Sequence, residues 1–193
     1  MGQSDQHDLD SQLAENLVSL RRFATRLTGN LDSSEEIMQE SLLRIVRGWD
    51  GFQSHSSFKT WAIRILINVF RNWLADQREL APLEDVPDPR QAEPVSSAMA
   101  VELGRIVAQR VSALPPRQRE VLILLVYEGL SPDDVSQLLD MQLANVYATL
   151  YQARQRLRTE LAPFLAASAG DVPLRSPSHT GIPQEKYDAQ RHE

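Results

Sequence analysis

The stretch FQSHSSFKTWAIRILINVFRNWLADQR, residues 52–78, decides the fold because its apolar residues recur with the period of an α-helix. They are spaced i, i+3, i+4, i+7 and i+11, which is the stripe of a helix that docks on a core. This spacing predicts a long helix from about Phe58 to Arg78 with one buried face. The residues of the stripe are Ile63, Leu66, Ile67, Phe70 and Leu74.

The other faces of this helix, and the loop before it, combine cations with aromatic rings and an amide. Cations hold phosphates, aromatic planes stack on unpaired bases, and an amide can read a base edge. The combination indicates a surface for nucleic acid. An ordinary amphipathic helix with solvated charges explains the same pattern equally well, so this segment alone leaves both interpretations open. The residues concerned are Phe52, Lys59, Trp61, Arg64, Asn68 and Arg71.

Length and composition restrict the class of protein. A chain of 193 residues without cysteine can hold one or two small domains, but no disulfide and no thiolate zinc site. It has no apolar run of about 18 residues and an acidic start, so we expect no membrane span, no secretory signal and a cytoplasmic location. The net charge of −6 argues against a general coat of nucleic acid.

Helical periodicity, and the residues that interrupt it, predict an all-α fold of two small helical domains joined by a proline-rich acidic linker. Gly29-Asn30 stops the first helix, and Ser33 with Glu36 forms a capping-box pattern for the second. We predict a flexible N-terminus at 1–9, a first domain at 10–79, the linker at 80–98, a second domain at 99–165 and a flexible tail at 166–193.

The second domain carries the pattern of a helix-turn-helix. An apolar run from Val121 to Val126 should be buried, Ser131 caps a short helix, and a tight turn near Asp140 leads to a longer helix over about 143–160. Asn, Gln and Thr side chains can bond base edges in a DNA groove. A helical hairpin that merely packs is the alternative. The outward residues of the longer helix include Asn145, Tyr147, Thr149, Tyr151, Gln152 and Arg154.

Taken together, these two patterns resemble one family, the extracytoplasmic-function (ECF) class of bacterial sigma factors. The resemblance lies in residues 21–74, with their QES and SFKTW motifs, and in residues 114–158. It implies a protein that binds core RNA polymerase, through the largest-subunit clamp and the flap, and directs it to promoter DNA. It also implies an anti-sigma factor as regulator, and a linker that threads the polymerase cleft.

The resemblance assigns roles to residues at matching positions. The helix at 33–47 would dock on the polymerase clamp, with Glu36, Gln39, Glu40 and Arg44 at matching positions. A solvated acidic face is the alternative for that helix. Phe52 and Asn68 match a pocket for a flipped base of the −10 element, and Lys59, Arg64 and Arg71 would contact its backbone. Trp61 matches a family tryptophan, for which a core role is equally open.

The recognition helix departs from the family pattern. Where the family commonly reads VGTVKSRLHRARRRL, this chain reads LANVYATLYQARQRL. Tyr147 replaces a lysine, Thr149 a frequent arginine, and Tyr151-Gln152 a histidine-arginine pair. Because each lost cation removes a salt-dependent phosphate contact, we expect an unusual −35 sequence or a weaker dependence on it.

Two other classes of function compete with an initiation factor. A sigma-factor mimic would sequester an anti-sigma factor without binding promoters, and the altered recognition helix is the feature that favours it. An enzyme is the other, but the sequence has no phosphate-binding glycine loop, no nucleophile–base motif and no metal-ligand cluster. We therefore expect no catalysis, no cofactor, no metal and no small-molecule substrate.

Overall fold

A computed structural model describes residues 3–52, 56–80 and 98–169, which form helices joined by short turns. No β-strand occurs among these residues, so the predicted all-α fold is confirmed. A 3-10 turn lies at Trp49–Gly51 and a π turn at Ile123–Tyr127. The α-helices are α1 (Gln3–Thr28), α2 (Leu31–Gly48), α3 (Phe58–Leu80), α4 (Ala98–Ser112), α5 (Pro116–Leu122), α6 (Pro132–Leu139) and α7 (Leu143–Ala169).

The core of the N-terminal half lies between α1, α2 and α3. The predicted stripe of α3 is buried from Ile63 to Phe70, and Leu74 at its end is half-buried. Phe23 of α1 and Ile37 of α2 are buried against the same core. Burying each large apolar side chain contributes about 1.5–3 kcal/mol, which offsets the entropy of ordering the helices.

Helix α1 is longer than the sequence predicts. It begins at Gln3, whereas residues 1–9 were expected to be flexible, and Leu9 is fully buried. A buried leucine in the second turn explains the difference, because it holds the start of the helix on the core. The predicted end is confirmed, since α1 stops at Thr28 and Gly29 has a φ of 73°.

The start of α2 corrects the predicted capping box. The N-cap is Asn30, whose side chain accepts a hydrogen bond from the Ser33 amide at 3.0 Å. An asparagine satisfies an unpaired amide of the first turn as well as serine does, so the helix starts earlier, at Leu31. Glu36 is thereby released from capping and accepts a hydrogen bond from the indole of Trp73 at 3.0 Å.

In the C-terminal half, α5 opens on Pro116, and the apolar run from Val121 to Val126 is buried only in part. Val121 to Leu124 are buried, but Val126 is 53% exposed, so its predicted burial is wrong. The reason is the π turn, in which the Glu128 amide bonds to the Ile123 carbonyl at 3.0 Å. The wider turn changes the helical period and rotates the end of the run toward solvent.

The helix-turn-helix forms as the sequence predicts. Ser131 caps α6 in a full capping box with Asp134, and Asp140 takes a left-handed conformation, φ 52°, in the turn. Asp tolerates this conformation better than most residues. Val146 and Ala153 of α7 are fully buried, and α7 continues past residue 160 to Ala169.

The two groups of helices pack against each other within one compact unit that ends at Ala162. Arg119 of α5 donates to the Leu27 carbonyl at the end of α1, at 2.7 Å. The Ser112 Cβ approaches Gly29 so closely that a Cβ on the glycine would lie 2.3 Å from it. A separate unit begins at Pro163, where α7 is still helical.

Most of the predicted linker at 80–98, and nearly all of the predicted tail at 166–193, lie outside the described residues. None of the described helices is long and apolar enough to cross a membrane.

Candidate nucleic-acid and polymerase interfaces

Four aromatic rings cluster where the loop after α2 meets the start of α3. Phe52 stacks on Trp49, with ring centroids 5.4 Å apart, and lies 4.9 Å from Trp61. Phe58 closes the cluster 5.9 Å from Trp61. Phe52 and Trp61 are half-buried, so each ring has a structural role and still reaches the surface. Such a platform can stack on an unpaired base. Residues 53–55, including His55, lie outside the described part of this loop.

The three predicted backbone-binding cations of α3 are all engaged by the C-terminal half. Lys59 Nζ lies 2.8 Å from a carboxylate oxygen of Glu128. Arg64 donates to the Gln137 carbonyl of α6 at 3.2 Å. Arg71 donates twice to Glu120 of α5, at 3.0 and 2.7 Å. We call these three interactions the closing contacts.

Asn68 differs from its cationic neighbours. It lies one turn after Arg64 and one turn before Arg71 on α3, and it is exposed. Its amide is therefore positioned beside the closing contacts, with access to solvent.

The acceptors of two closing contacts are buried, and the sequence alone did not single them out. The Glu120 side chain is 1% exposed and also receives Arg117 at 3.1 Å. The Glu128 side chain is 4% exposed. A buried carboxylate requires a cationic partner, because its desolvation is costly. The sequence signals the burial of Glu120 only by its position, directly before an apolar run.

The exposed face of α2 combines acids with apolar residues. Gln39 and Glu36 are exposed, and Arg44 pairs with Glu40 one turn earlier at 2.7 Å. A groove of about 260 Å³ between α1 and α2 opens on this face. It is lined by Leu17, Arg21, Glu35, Met38, Gln39 and Leu42.

Exposed apolar residues extend this face of α2. Leu43 is 52% exposed and was not among the predicted site residues, nor was its exposed neighbour Val46. Exposed apolar side chains beside a charged patch indicate a surface that a protein partner covers.

The outer face of α7 is open to solvent. Tyr147 is 54% and Tyr151 is 64% exposed, while Gln155 donates to the Tyr151 hydroxyl at 3.0 Å. Asn145, Gln152 and Arg154 are exposed beside them, and Thr149 is half-buried. The helix thus presents amide, hydroxyl, aromatic and cationic groups, which are the groups that read a major groove.

Groups that could hold a metal ion, meaning three or more His, Asp or Glu side chains together, do not occur in the part of the chain that the structure describes.

Comparisons with known families identify both halves. The family model Sigma-70 region 2 matches residues 13–79, and the model Sigma-70, region 4 matches residues 104–157. Among curated proteins, the ECF RNA polymerase sigma-E factor of Escherichia coli (strain K12) is 27% identical over 172 residues, which cover 80% of this chain and 90% of that protein.

Solved structures of similar fold include a sigma factor and an anti-anti-sigma factor. The sigma factor RpoE of Bartonella quintana, in complex with the anti-sigma factor NepR, is 25% identical with a TM-score of 0.69, over 80% of this chain and 97% of that one. The anti-anti-sigma factor PhyR of Bartonella quintana, also complexed with NepR, is 20% identical with a TM-score of 0.53, over 79% of this chain and 50% of that one. The second likeness concerns the fold alone.

Proposed function

This chain belongs to the ECF class of RNA polymerase sigma factors and so directs transcription initiation at promoters. We propose that its two halves bind different parts of the promoter. The N-terminal half binds core polymerase and captures the melted −10 element. The C-terminal half binds the −35 element as duplex. The chain acts in the cytoplasm as an initiation factor and performs no catalysis of its own.

In the N-terminal half, the aromatic cluster and α3 form the −10 site. Phe52 and Trp61 offer rings to unstacked bases, and the exposed amide of Asn68 reads a base edge. Lys59, Arg64 and Arg71 neutralise the phosphates of the same strand. Separating and flipping a base costs a few kcal/mol, which stacking of about 1–3 kcal/mol per base offsets.

In the C-terminal half, α6 and α7 form the −35 site. The observation that carries this assignment is the division of α7 into two faces. Val146 and Ala153 are buried, whereas Asn145, Tyr147 and Arg154 are exposed on a helix that follows a tight turn. This is the arrangement in which the second helix of a helix-turn-helix lies in the major groove.

The exposed face of α2 forms the polymerase site. Gln39 and the Glu40–Arg44 pair lie beside the exposed Leu43, which gives this face both a charged rim and an apolar centre. An anti-sigma factor would compete for part of the surface. The likeness to a sigma factor that was solved with its anti-sigma factor supports such a partner.

Run-off transcription with purified core polymerase over a library of promoters tests the proposal. We expect transcripts that depend on the added chain and a shared −10 motif among the active promoters. Absence of transcripts with every bacterial core polymerase tested, from a chain that is helical by circular dichroism, would refute initiation activity.

A single substitution tests the role of Asn68 in the same assay. Asn68→Ala should change the preferred base at one −10 position, because the amide that reads it is lost, and leave binding to core polymerase unchanged. Asn72→Ala is the matched control, since Asn72 is an exposed asparagine one turn further along α3. Loss of polymerase binding in Asn68→Ala would assign this residue a structural role instead.

The alternative function is a sigma-factor mimic that sequesters an anti-sigma factor without binding promoter DNA. One observation favours it: the cations of α3 are engaged by the C-terminal half in this structure. A mimic would bind a purified anti-sigma factor and yet give no run-off transcripts, so the library experiment separates the two functions.

A further inference from the structure

We propose that Trp73 is a positioning residue for polymerase docking, because its indole holds the Glu36 carboxylate in place on the exposed face of α2. This inference rests on the polymerase site proposed above and adds to it a residue of α3, which is not part of that face. The indole acts through Glu36, which meets a cationic group of core polymerase, and not by contacting polymerase or DNA itself.

The contact joins a rigid donor to a flexible acceptor. The Trp73 ring is half-buried and stacks on Phe70, with ring centroids 6.4 Å apart and an angle of 15° between the ring planes. Its Nε1 donates to Oε2 of Glu36 at 3.0 Å, from α3 to α2. A glutamate side chain loses much rotamer freedom when it is fixed, whereas an anchored indole has little left to lose. The bond therefore orders Glu36 rather than Trp73.

Glu36 lies on the same face of α2 as other proposed polymerase residues. Gln39, Glu40 and Leu43 follow it at i+3, i+4 and i+7, which is the spacing of one helix face. Glu36 is exposed, and a carboxylate has about four acceptor positions, so it can accept from a partner as well as from the indole. The carboxylate is thus held in place and still accessible.

A donor within the chain also holds the second acid of this face. Arg44 donates from Nε to Oε1 of Glu40 at 2.7 Å, one turn along α2. Glu36 and Glu40 are four residues apart, which is about 6 Å along the helix axis. Two ordered acids at a fixed spacing are complementary to a partner surface that carries two cationic groups. The donors within the chain therefore prepare α2 for a basic surface of polymerase.

The size of the effect follows from the entropy that docking no longer has to remove. Immobilising one flexible side chain at a protein interface weakens association several-fold, and a side chain that is ordered beforehand avoids most of that loss. Without the indole N–H, Glu36 must be ordered at the moment of docking. We expect the affinity for core polymerase to fall about fivefold when this donor is removed.

Trp73→Phe tests the role of the indole, since phenylalanine keeps a ring against Phe70 and removes the N–H. Its affinity for core polymerase is measured on the full chain, by competition with a parent chain labelled through Thr159→Cys, the single thiol of a chain without cysteine. Asp76→Asn is the matched control, because Asp76 is an exposed acid on α3, three residues after Trp73. The control should bind as tightly as the parent chain.

A double-mutant cycle separates positioning from a general structural role. In the Glu36→Ala background the indole has no carboxylate to hold, so Trp73→Phe should cost no further affinity. An equal fall in both backgrounds would overturn the proposal, because Trp73 would then act through the packing of α3. An unchanged or increased affinity of Trp73→Phe in the parent background would overturn it as well.

Run-off transcription at saturating core polymerase provides a second readout. We expect Trp73→Phe to keep the −10 preference of the parent chain, since the indole serves docking and not DNA binding. A changed −10 preference would assign Trp73 to the DNA site and overturn the proposal. If no core polymerase binds the parent chain, the proposed polymerase site fails together with this inference. If the parent binds and Trp73→Phe binds equally well, only this inference fails.

Discussion

Helices α3 and α7 both carry cations proposed for promoter DNA, but the chain leaves them in different states. On α3, the closing contacts engage Lys59, Arg64 and Arg71 with acceptors of the other half. On α7, Arg154 is exposed and Arg156 pairs with Glu160 of its own helix, at 3.1 Å. The face proposed to read duplex DNA is thus open to solvent, while the cations proposed to hold melted DNA are engaged within the chain. The two proposed DNA sites therefore differ in how accessible their cations are.

Breaking one buried pair should have the largest effect on stability. Arg71→Ala leaves Glu120 with Arg117 as a remaining cation, so we expect the free energy of unfolding to fall by about 2 kcal/mol, the loss of the charged hydrogen bonds from Arg71. Urea denaturation followed by circular dichroism measures this value.

Arg64→Ala is the matched control for this comparison on the same helix. Arg64 is exposed and bonds to a backbone carbonyl, so its loss should cost about 1 kcal/mol or less. Equal losses in both variants would show that the burial of Glu120 does not strengthen the contact between the two halves.

An effect of intermediate size on DNA binding is expected when a cation is restored to the recognition helix. Tyr147→Lys adds one phosphate contact on an exposed position of α7, so binding to a −35 duplex should tighten and depend more on salt. We expect the slope of log K against log salt to steepen by about 1. Anisotropy titrations of the full chain over a series of KCl concentrations provide the slope.

Ala162→Lys adds the same charge at an exposed position near the end of α7. It is the control for non-specific electrostatic attraction between the chain and DNA. If both variants steepen the slope equally, Tyr147 does not face the DNA.

The smallest effect should come from the ion pair within α7. Glu160→Gln removes the partner of Arg156, and because this pair is exposed and local, the free energy of unfolding should change by less than about 0.5 kcal/mol. Glu120→Gln, measured in parallel by the same urea titration, should cost several times more. A similar cost for both glutamates would remove the distinction between the two helices on which the comparison depends.

Local signals predicted most of the fold. The stripe of α3, the glycine stop after α1 and the serine cap of α6 act over a few residues, so a single sequence contains them. The errors are also local and have physical causes. Asn30 took the role expected of Ser33, Leu9 held α1 on the core before residue 10, and the π turn rotated Val126 outward.

The contacts between the halves could not be predicted in this way. Arg71 and Glu120 are far apart along the chain, and nothing in either neighbourhood specifies the other as partner. The sequence predicted Lys59, Arg64 and Arg71 as a set of cations, and the roles assigned to them remain predictions. What the sequence missed was that the same protein already supplies a buried carboxylate for two of them.

The tryptophans and the tyrosines of the chain lie in different halves, which makes a spectroscopic measurement possible. All three tryptophans, Trp49, Trp61 and Trp73, precede residue 74, and every tyrosine follows residue 126. Trp49 and Trp61 belong to the aromatic cluster, and Trp73 bonds to Glu36 on the face of α2. Ultraviolet emission excited at the red edge of the indole band therefore arises from one half alone. Quenching of this emission by a single-stranded oligonucleotide can therefore be followed in the unlabelled protein.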